Sequence, residues 1–258
     1  MQVFSIDENK PRMILAQLQE PDGTDIIFEP IREESRIKAA LLFKTMFNQF
    51  MKNEAIDVNK LKDTIKDILD YILGERCILN TITRMRAYDS YTFNHSVDVC
   101  VLSLSIGSVM GLNRNELAVL GIGALLHDIG KIYTDYCILN KPIRLETEEY
   151  EKVKTHARDG YELLRRRFNM SFLIPHMAFQ HHEREDGSGY PRGLTGKRIH
   201  YFSKIIAVAD VFDAMTSYRV YQIPVQASLA IQEIWKNTPD KYNRSVADCL
   251  KKIVTPCF

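Results

Sequence analysis

The stretch Leu125-Leu126-His127-Asp128-Ile129-Gly130-Lys131-Ile132 ends a strongly apolar helical pattern with a histidine, an aspartate and a lysine. Charge among apolar side chains costs free energy unless a partner compensates it, and a bound metal cation is the usual partner. A nitrogen and a carboxylate oxygen side by side are ligands that iron, manganese or zinc accept. The alternative is a capped helix end, in which Asp128 turns the chain and Gly130 ends the helix. This stretch alone favours neither interpretation.

The composition excludes several classes of protein. With 258 residues and 45% hydrophobic content, the chain suits one large domain, or one domain with a small appendage. Its net charge of +1 provides no basic field for DNA, RNA or an anionic membrane surface. The five cysteines include no Cys-x-x-Cys pair, and no apolar run reaches the roughly 18 residues of a membrane span. Residues 1–8 lack the pattern of a signal peptide, so we expect a cytoplasmic protein.

The chain divides into three regions. Residues 1–30 hold two short apolar runs around a turn, which predicts a small appendage with hairpin-like β structure. Residues 31–86 show helical periodicity, with helices predicted over 33–52 and 57–86. This second region is either a connector, a stalk through which a homodimer forms, or two helices that simply pack on the core. Residues 87–258 carry the motifs.

The motif region is also predicted to be helical, so the expected fold is all-α. The predicted helices cover residues 92–110, 115–127 and 147–168, followed by one or two closing helices after residue 224. A further apolar segment around residues 205–216 is interrupted by Asp210 and Asp213. These two aspartates are one turn apart and therefore share a helix face.

Five of the seven histidines stand beside carboxylates at helix ends or in apolar helices. They are His95, His127, His156, His181 and His182, and Asp128 and Asp210 complete the set. Seven ligands exceed what one ion usually takes and match two ions that share Asp128. Two ions about 3.5–4 Å apart serve phosphoester hydrolysis. Lys131 is placed to meet a phosphate oxygen or the bridging hydroxide, unless it is an ordinary solvated lysine at a helix end.

Six segments in this order resemble the HD-GYP domain, a branch of the HD phosphohydrolase superfamily. They are Tyr91-Thr92-x-x-His95-Ser96, His127-Asp128-Ile129-Gly130-Lys131, His156, His181-His182-Glu183, Asp186-Gly187-x-Gly189-Tyr190-Pro191 and Asp210-Val211-Phe212-Asp213-Ala214-Met215-Thr216. Each segment alone is weak, whereas all six in order are highly specific. The resemblance implies an HD-domain helical bundle that hydrolyses cyclic di-GMP to pGpG or GMP through a metal-bridged hydroxide. It also implies two divalent ions, usually iron or manganese.

The resemblance also implies roles for individual residues. One metal shell would contain His95, His127, Asp128 and Asp210, and the other Asp128, His156, His181 and His182. The catalytic residues would be Lys131 and Asp128, and the substrate would meet Lys131, Gly189, Tyr190, Pro191 and Arg219. The residues expected to support the ligands without binding metal are Asp213 and Glu183.

The sequence departs from the family pattern at two informative positions. Gln222 replaces a cation that could hold the second phosphate of the substrate, and Tyr91 stands where some members use a glutamate to bind a third metal. We therefore expect two metals. Two other functions stay open, namely a phosphohydrolase of another nucleotide, and a catalytically weak scaffold that binds cyclic di-GMP or a partner protein.

Overall fold

The computed structural model describes residues 31–52, 54, 56–74, 91–167, 171–217 and 224–254. The hairpin predicted in residues 1–30 lies outside these ranges, as do Arg219 and Gln222. Within the described residues all regular secondary structure is helical, and only an isolated bridge between Asp186 and Thr195 has β character. The all-α prediction is confirmed for this part of the chain.

Eleven α-helices and two short 3-10 segments make up the described fold. The helices are α1 (Ile31–Lys52), α2 (Val58–Gly74), α3 (Tyr91–Val109), α4 (Arg114–Leu125), α5 (Tyr136–Leu139), α6 (Thr147–Lys154), α7 (His156–Arg167), α8 (Leu173–Gln180), α9 (Tyr201–Thr216), α10 (Ala227–Lys236) and α11 (Arg244–Val254). The 3-10 segments are Ile129–Tyr133 and Gly196–Arg198. No helix among the described residues is both long enough and apolar enough to cross a bilayer.

Helices α1 and α2 each bury one face in the same core as the motif helices. Phe43 and Met46 of α1 and Leu61 of α2 are almost fully buried in this core. α1 contacts α3, and α2 contacts both α3 and α4. Leu73, which the periodicity places on the buried face of α2, is 50% exposed instead. In these contacts, α1 and α2 pack on the core. Dimerisation through this region stays a prediction.

Helices α3 and α4 form the interior against which the other helices pack. Both are apolar on nearly every side because both are surrounded by protein rather than by water. α4 begins at a capping box, in which the Asn113 side chain accepts the backbone N–H of Glu116 and the Glu116 carboxylate accepts that of Asn113. α4 ends at Leu125, so His127 and Asp128 stand at the inner end of a buried helix.

The 3-10 segment after Asp128 crosses α7 at very close range. A Cβ atom on Gly130 would collide with the backbone of His156 and Gly160. Only glycine permits this approach, which brings the His127-Asp128 pair beside His156. Gly130 therefore does not end the helix, as the capped-end interpretation required, because α4 has already ended five residues earlier at Leu125.

The helix predicted over residues 147–168 is two helices, α6 and α7, separated at Thr155. Its N-cap is Glu146, which forms a capping box with Glu149. The interruption is a single residue with helical backbone angles, and it falls immediately before His156. Helix α9 packs against α3 and α8, which places Asp210 and Asp213 opposite His95.

Candidate metal centre

Three of the predicted histidines follow the last turn of a helix, and the backbone of that turn orients them. The carbonyl groups of a last helical turn lack partners within the helix and are free to accept hydrogen bonds. Nδ1 of each ring donates to the carbonyl oxygen three residues earlier. The pairs are His127 with Ala124 at 2.7 Å, His156 with Val153 at 2.6 Å and His181 with Ala178 at 2.8 Å.

These hydrogen bonds determine where the protons lie. A carbonyl oxygen only accepts, so Nδ1 of each ring carries the proton, and Nε2 of the neutral ring carries a lone pair. Burial, followed by the neighbouring rings of His127 and His156, lowers the pKa of His181 to about 4 despite Asp128 nearby. His181 is therefore uncharged at neutral pH, with its lone pair directed into the cluster, which is the form that binds a metal ion.

His95 is held by carboxylates instead of carbonyls. Its Nδ1 forms a 2.7 Å hydrogen bond with Asp213 Oδ2, and Ser217 Oγ donates to the other Asp213 oxygen at 2.7 Å. Its Nε2 lies 3.2 Å from Asp210 Oδ1. Burial opposes the charged form of His95, but the hydrogen bonds with Asp210 and Asp213 outweigh it and raise its pKa to about 9. Asp213, which the sequence predicts as a residue that supports the ligands, contacts His95 and Ser217.

Asp128 stands at the middle of the cluster and presents one carboxylate oxygen to each pair of histidines. Oδ1 lies 3.2 Å from Nε2 of His156 and 3.7 Å from Nε2 of His181. Oδ2 lies 3.4 Å from Nε2 of His127 and 3.6 Å from Nε2 of His95. A carboxylate arranged in this way can bridge two cations, one on each side.

Lys131 approaches the same carboxylate from the rim of the cluster. Its ammonium group donates to Asp128 Oδ2, and 24% of its side chain is exposed. Burial opposes ionisation of Asp128, but the charge of Lys131 and then the neighbouring His127 ring hold its pKa well below its ordinary value. Asp128 is thus an ionised carboxylate with a partly exposed lysine beside it.

Two groups of ligand atoms within the described residues are compact enough to hold metal ions. One contains Asp128, His156, His181 and His182, the other contains His95, His127 and Asp128, and within each group the ligand atoms lie within 4.8 Å of one another. Asp128 is common to both. Asp210 adjoins both groups, since its second oxygen lies 3.9 Å from Nδ1 of His182.

Several buried acceptor atoms in these groups have no hydrogen-bond donor. Asp128 Oδ1 and His127 Nε2 are buried and make no hydrogen bond with the described residues. Nε2 of His156 and Nε2 of His181 face each other at 3.3 Å, although both carry lone pairs. Buried unpaired acceptors are costly, and a cation between them would remove the cost. The donor set, made of imidazole and carboxylate, fits a divalent transition metal.

The loop that contains Gly189, Tyr190 and Pro191 forms one wall of the site. A Cβ atom on Gly189 would strike the backbone of His182 and Glu183, so this position requires glycine. The Tyr190 ring stacks on the His182 ring, with centroids 4.6 Å apart and planes at 28°. Burial, followed by the neighbouring His181 and His156 rings, keeps the pKa of His182 well below its ordinary value.

Glu183 holds this loop by hydrogen bonds to its backbone. It is 2% exposed, and its two oxygens accept the backbone N–H groups of Arg192 at 2.9 Å and Leu194 at 2.8 Å. Glu183 therefore holds the segment that follows Tyr190 in the loop.

Sequence reasoning missed the groups that orient the ligands from the backbone and from the neighbouring helix. The carbonyls of Ala124, Val153 and Ala178 leave no trace in residue types, although a histidine just past a predicted helix end is a usable signal. It also missed Lys154 and Tyr150 of α6, which lie beside Tyr190. Their pattern is that of an ordinary solvated helix.

Comparison with known proteins gives the following matches. The family model described as the HD domain matches residues 78–246, which is more than half of the chain. Cyclic di-GMP phosphodiesterase PA4108 of Pseudomonas aeruginosa is 36% identical over 200 residues, covering 78% of this chain and 48% of that protein. A cyclic di-GMP phosphodiesterase of Thermotoga maritima is 32% identical over 262 residues, covering 97% of this chain and 71% of that protein.

A solved structure shares the fold. Bd1817, an HDG"Y"P protein from Bdellovibrio bacteriovorus, matches with a TM-score of 0.69 at 18% identity, covering 87% of this chain and 70% of that one. This agreement supports the helical architecture alone. The chain spans about half the length of the Pseudomonas relative.

Proposed function

From the premise that the chain belongs to the HD domain family, we propose that it is a metal-dependent phosphodiesterase that hydrolyses cyclic di-GMP to pGpG or GMP. The observation that carries the proposal is the position of Asp128, with one oxygen toward His156 and His181 and the other toward His127 and His95. Such a bridge suits a pair of ions acting on one phosphodiester.

We infer that two divalent ions bind here, with iron or manganese as the preferred metals. The first would be held by His95, His127, Asp128 and Asp210, and the second by Asp128, His156, His181 and His182. When bound, the ions would polarise the phosphoryl oxygens and supply hydroxide at neutral pH. The mixed imidazole and carboxylate set favours these metals over calcium or magnesium, which prefer oxygen alone.

The chain's own residues would bind and orient the substrate. Lys131 can pair with a non-bridging phosphate oxygen, because its ammonium lies at the open edge of the centre. This charge stabilises the negative charge that develops on the phosphoryl group as water attacks and the P–O ester bond breaks. Tyr190 limits the pocket on the side of His182 and, with Gly189 and Pro191, would contact the nucleotide. The role of Arg219 as a phosphate ligand is proposed from the sequence resemblance.

We propose the cytoplasm as the location, with no nucleic acid partner. Cys100, Cys137 and Cys249 are free thiols, as in proteins of a reducing compartment. The net charge of +1 gives no overall basic field to attract DNA or RNA. A homodimer through residues 31–86 is a further proposal, supported by the exposure of Leu41 and Leu73 on the two helices.

The proposal is tested by measuring turnover and metal content on the same sample. Protein purified without oxygen and loaded with Fe(II) or Mn(II) should hydrolyse cyclic di-GMP and contain two metal ions per chain. The Asp128→Ala variant should lose both turnover and the second ion. Full metal loading without turnover would contradict the phosphodiesterase. A titration with cyclic di-GMP and a panel of other nucleotides would then separate a binding scaffold from an enzyme with a different substrate.

A further inference from the structure

Lys154 lies between two aromatic rings at the rim of the metal centre. Its ammonium nitrogen is 5.3 Å from the ring centroid of Tyr150 and 5.3 Å from that of Tyr190. These are cation–π distances, at which the electron-rich ring faces stabilise a positive charge. Tyr150 is 48% exposed, and the Lys154 side chain is 27% exposed. The three side chains therefore form a partly open surface, which we call the α6 rim.

The α6 rim is connected directly to the ligand histidines. Tyr190 stacks on His182 at 4.6 Å and stands edge-on to His156, with ring centroids 6.4 Å apart. Lys154 is the last residue of α6, and the carbonyl of the preceding Val153 orients His156. A ligand that places a phosphorus atom at the metal centre, and that is long enough to extend past Tyr190, would therefore reach Lys154.

The charge on Lys154 is available to such a ligand. Within the described residues its ion pair is with Glu151 at 2.7 Å, and 60% of the Glu151 side chain is exposed. An exposed pair of this kind on one helix contributes little and is exchanged readily for a stronger anion. Lys131, in contrast, stands beside Asp128 and would serve the phosphodiester that reacts.

A cyclic dinucleotide carries two phosphodiesters and two purines, of which the metal centre engages one phosphodiester. Resting on the proposed function, we propose that the α6 rim binds the half of the dinucleotide that does not react. Lys154 contacts the second phosphate, and the exposed face of Tyr150 stacks on a purine. A cation beside aromatic faces is the combination that binds single-stranded nucleotides elsewhere.

The test compares two lysines of the same helix. Lys154→Met keeps the aliphatic stem and removes the charge, and Lys152→Met makes the same change at an exposed position two residues away, on a different side of α6. For cyclic di-GMP, the Lys154→Met variant should raise KM by roughly tenfold, with kcat changed much less, as expected for the loss of one charge-assisted contact. Lys152→Met should match the wild type, and Lys154→Arg should restore KM.

A small substrate separates binding from support of the metal centre. Bis(p-nitrophenyl) phosphate has a single phosphodiester and no second phosphate for Lys154 to contact, so Lys154→Met should affect it at least fivefold less than it affects cyclic di-GMP. Tyr150→Ala should also raise KM for the dinucleotide selectively. An equal loss of kcat on both substrates would show that Lys154 only supports Tyr190 and the centre, and would overturn the proposal. Identical KM values in Lys154→Met and Lys152→Met would also overturn it.

Failure of the proposed function can be distinguished from failure of the α6 rim proposal. If the wild type hydrolyses the small diester but not cyclic di-GMP, the proposed substrate reaction is wrong. Direct binding of cyclic di-GMP to the wild type and to Lys154→Met then decides the present proposal. Weaker binding by Lys154→Met supports the α6 rim, whereas equal binding or none overturns it.

Discussion

The metal centre and the α6 rim adjoin each other but are built in different ways. In the centre, His127, His156 and His181 lie at helix ends where backbone carbonyls orient their rings, and Asp213 orients the ring of His95. The rim consists of Tyr150, Lys154 and Tyr190, which are partly exposed and are held by ring contacts and, through the loop, by Glu183. The difference indicates that the groups acting on the phosphorus are preorganised, whereas those meeting the rest of the substrate have room to adapt.

The largest expected effect comes from Asp128→Asn, which removes the bridge while keeping the shape of the side chain. Its amide offers one oxygen and no negative charge, so it cannot serve both histidine pairs. We expect kcat for cyclic di-GMP to fall about a thousandfold, because several kcal/mol of charge stabilisation depend on the ions. Metal content should fall below two ions per chain. Asp63→Asn, on the exposed face of α2, is the control and should leave both measurements unchanged.

The next largest effect is expected from Glu183→Ala, which acts on the rim through the loop. The change leaves the N–H groups of Arg192 and Leu194 without acceptors, at a cost of about 2–3 kcal/mol in the free energy of unfolding. Turnover should fall about a hundredfold, since Tyr190 loses its fixed position. Metal content should stay at the wild-type level, which distinguishes this variant from Asp128→Asn. Glu183→Gln keeps one acceptor oxygen and should recover part of both losses. Loss of metal in Glu183→Ala would contradict the separation of centre and rim.

A smaller effect is expected from Asp213→Asn, which changes the group that orients His95. Asp213 holds His95 in place and favours binding of a cation by that ring. Removing such a partner of a ligand histidine weakens metal affinity by about 10–100-fold. Competition with a chromogenic chelator measures this change. Ser217→Ala removes only the hydroxyl behind Asp213 and should cost less, so an equal effect of the two variants would argue against this role of the carboxylate.

The sequence predicted the centre better than the rim for a physical reason. His127, Asp128 and Asp210 are polar residues in apolar surroundings, and such residues need partners, so their types alone indicate a shared site. Lys154 belongs to a helix with charges on several sides, where a lysine is ordinarily solvated. Its significance depends on Tyr190, which the fold brings next to it from a distant loop. No local pattern encodes that contact.

The division of the predicted 147–168 helix has a similar origin. The residues on both sides of Thr155 favour a helix, and nothing in their spacing predicts an interruption. The interruption coincides with the close crossing of Gly130 over His156 and Gly160, which is a tertiary contact. Leu73 is exposed for a comparable reason, because the periodic pattern identifies a face of α2 but not how wide a strip of it the core covers.

The last prediction has the smallest expected effect on activity, because it concerns the centre without its ions. It is measured as the stability of chelator-treated protein. The pKa of His95 is raised to about 9, so its contribution to stability is complete below the ordinary value of 6.5 and is lost as pH rises through 9. The pKa of His181 is lowered to about 4, so the unfolded chain binds the extra proton and stability rises between pH 4 and 6.5. Urea unfolding should therefore give a maximum near pH 6.5, with a decline of about 1–3 kcal/mol toward pH 9. His95→Gln should flatten the basic side of this curve, and His176→Gln, outside the cluster, should preserve it. If the free energy of unfolding of His95→Gln still declines above pH 6.5, other groups cause the decline. That result would contradict a stabilising charge on His95.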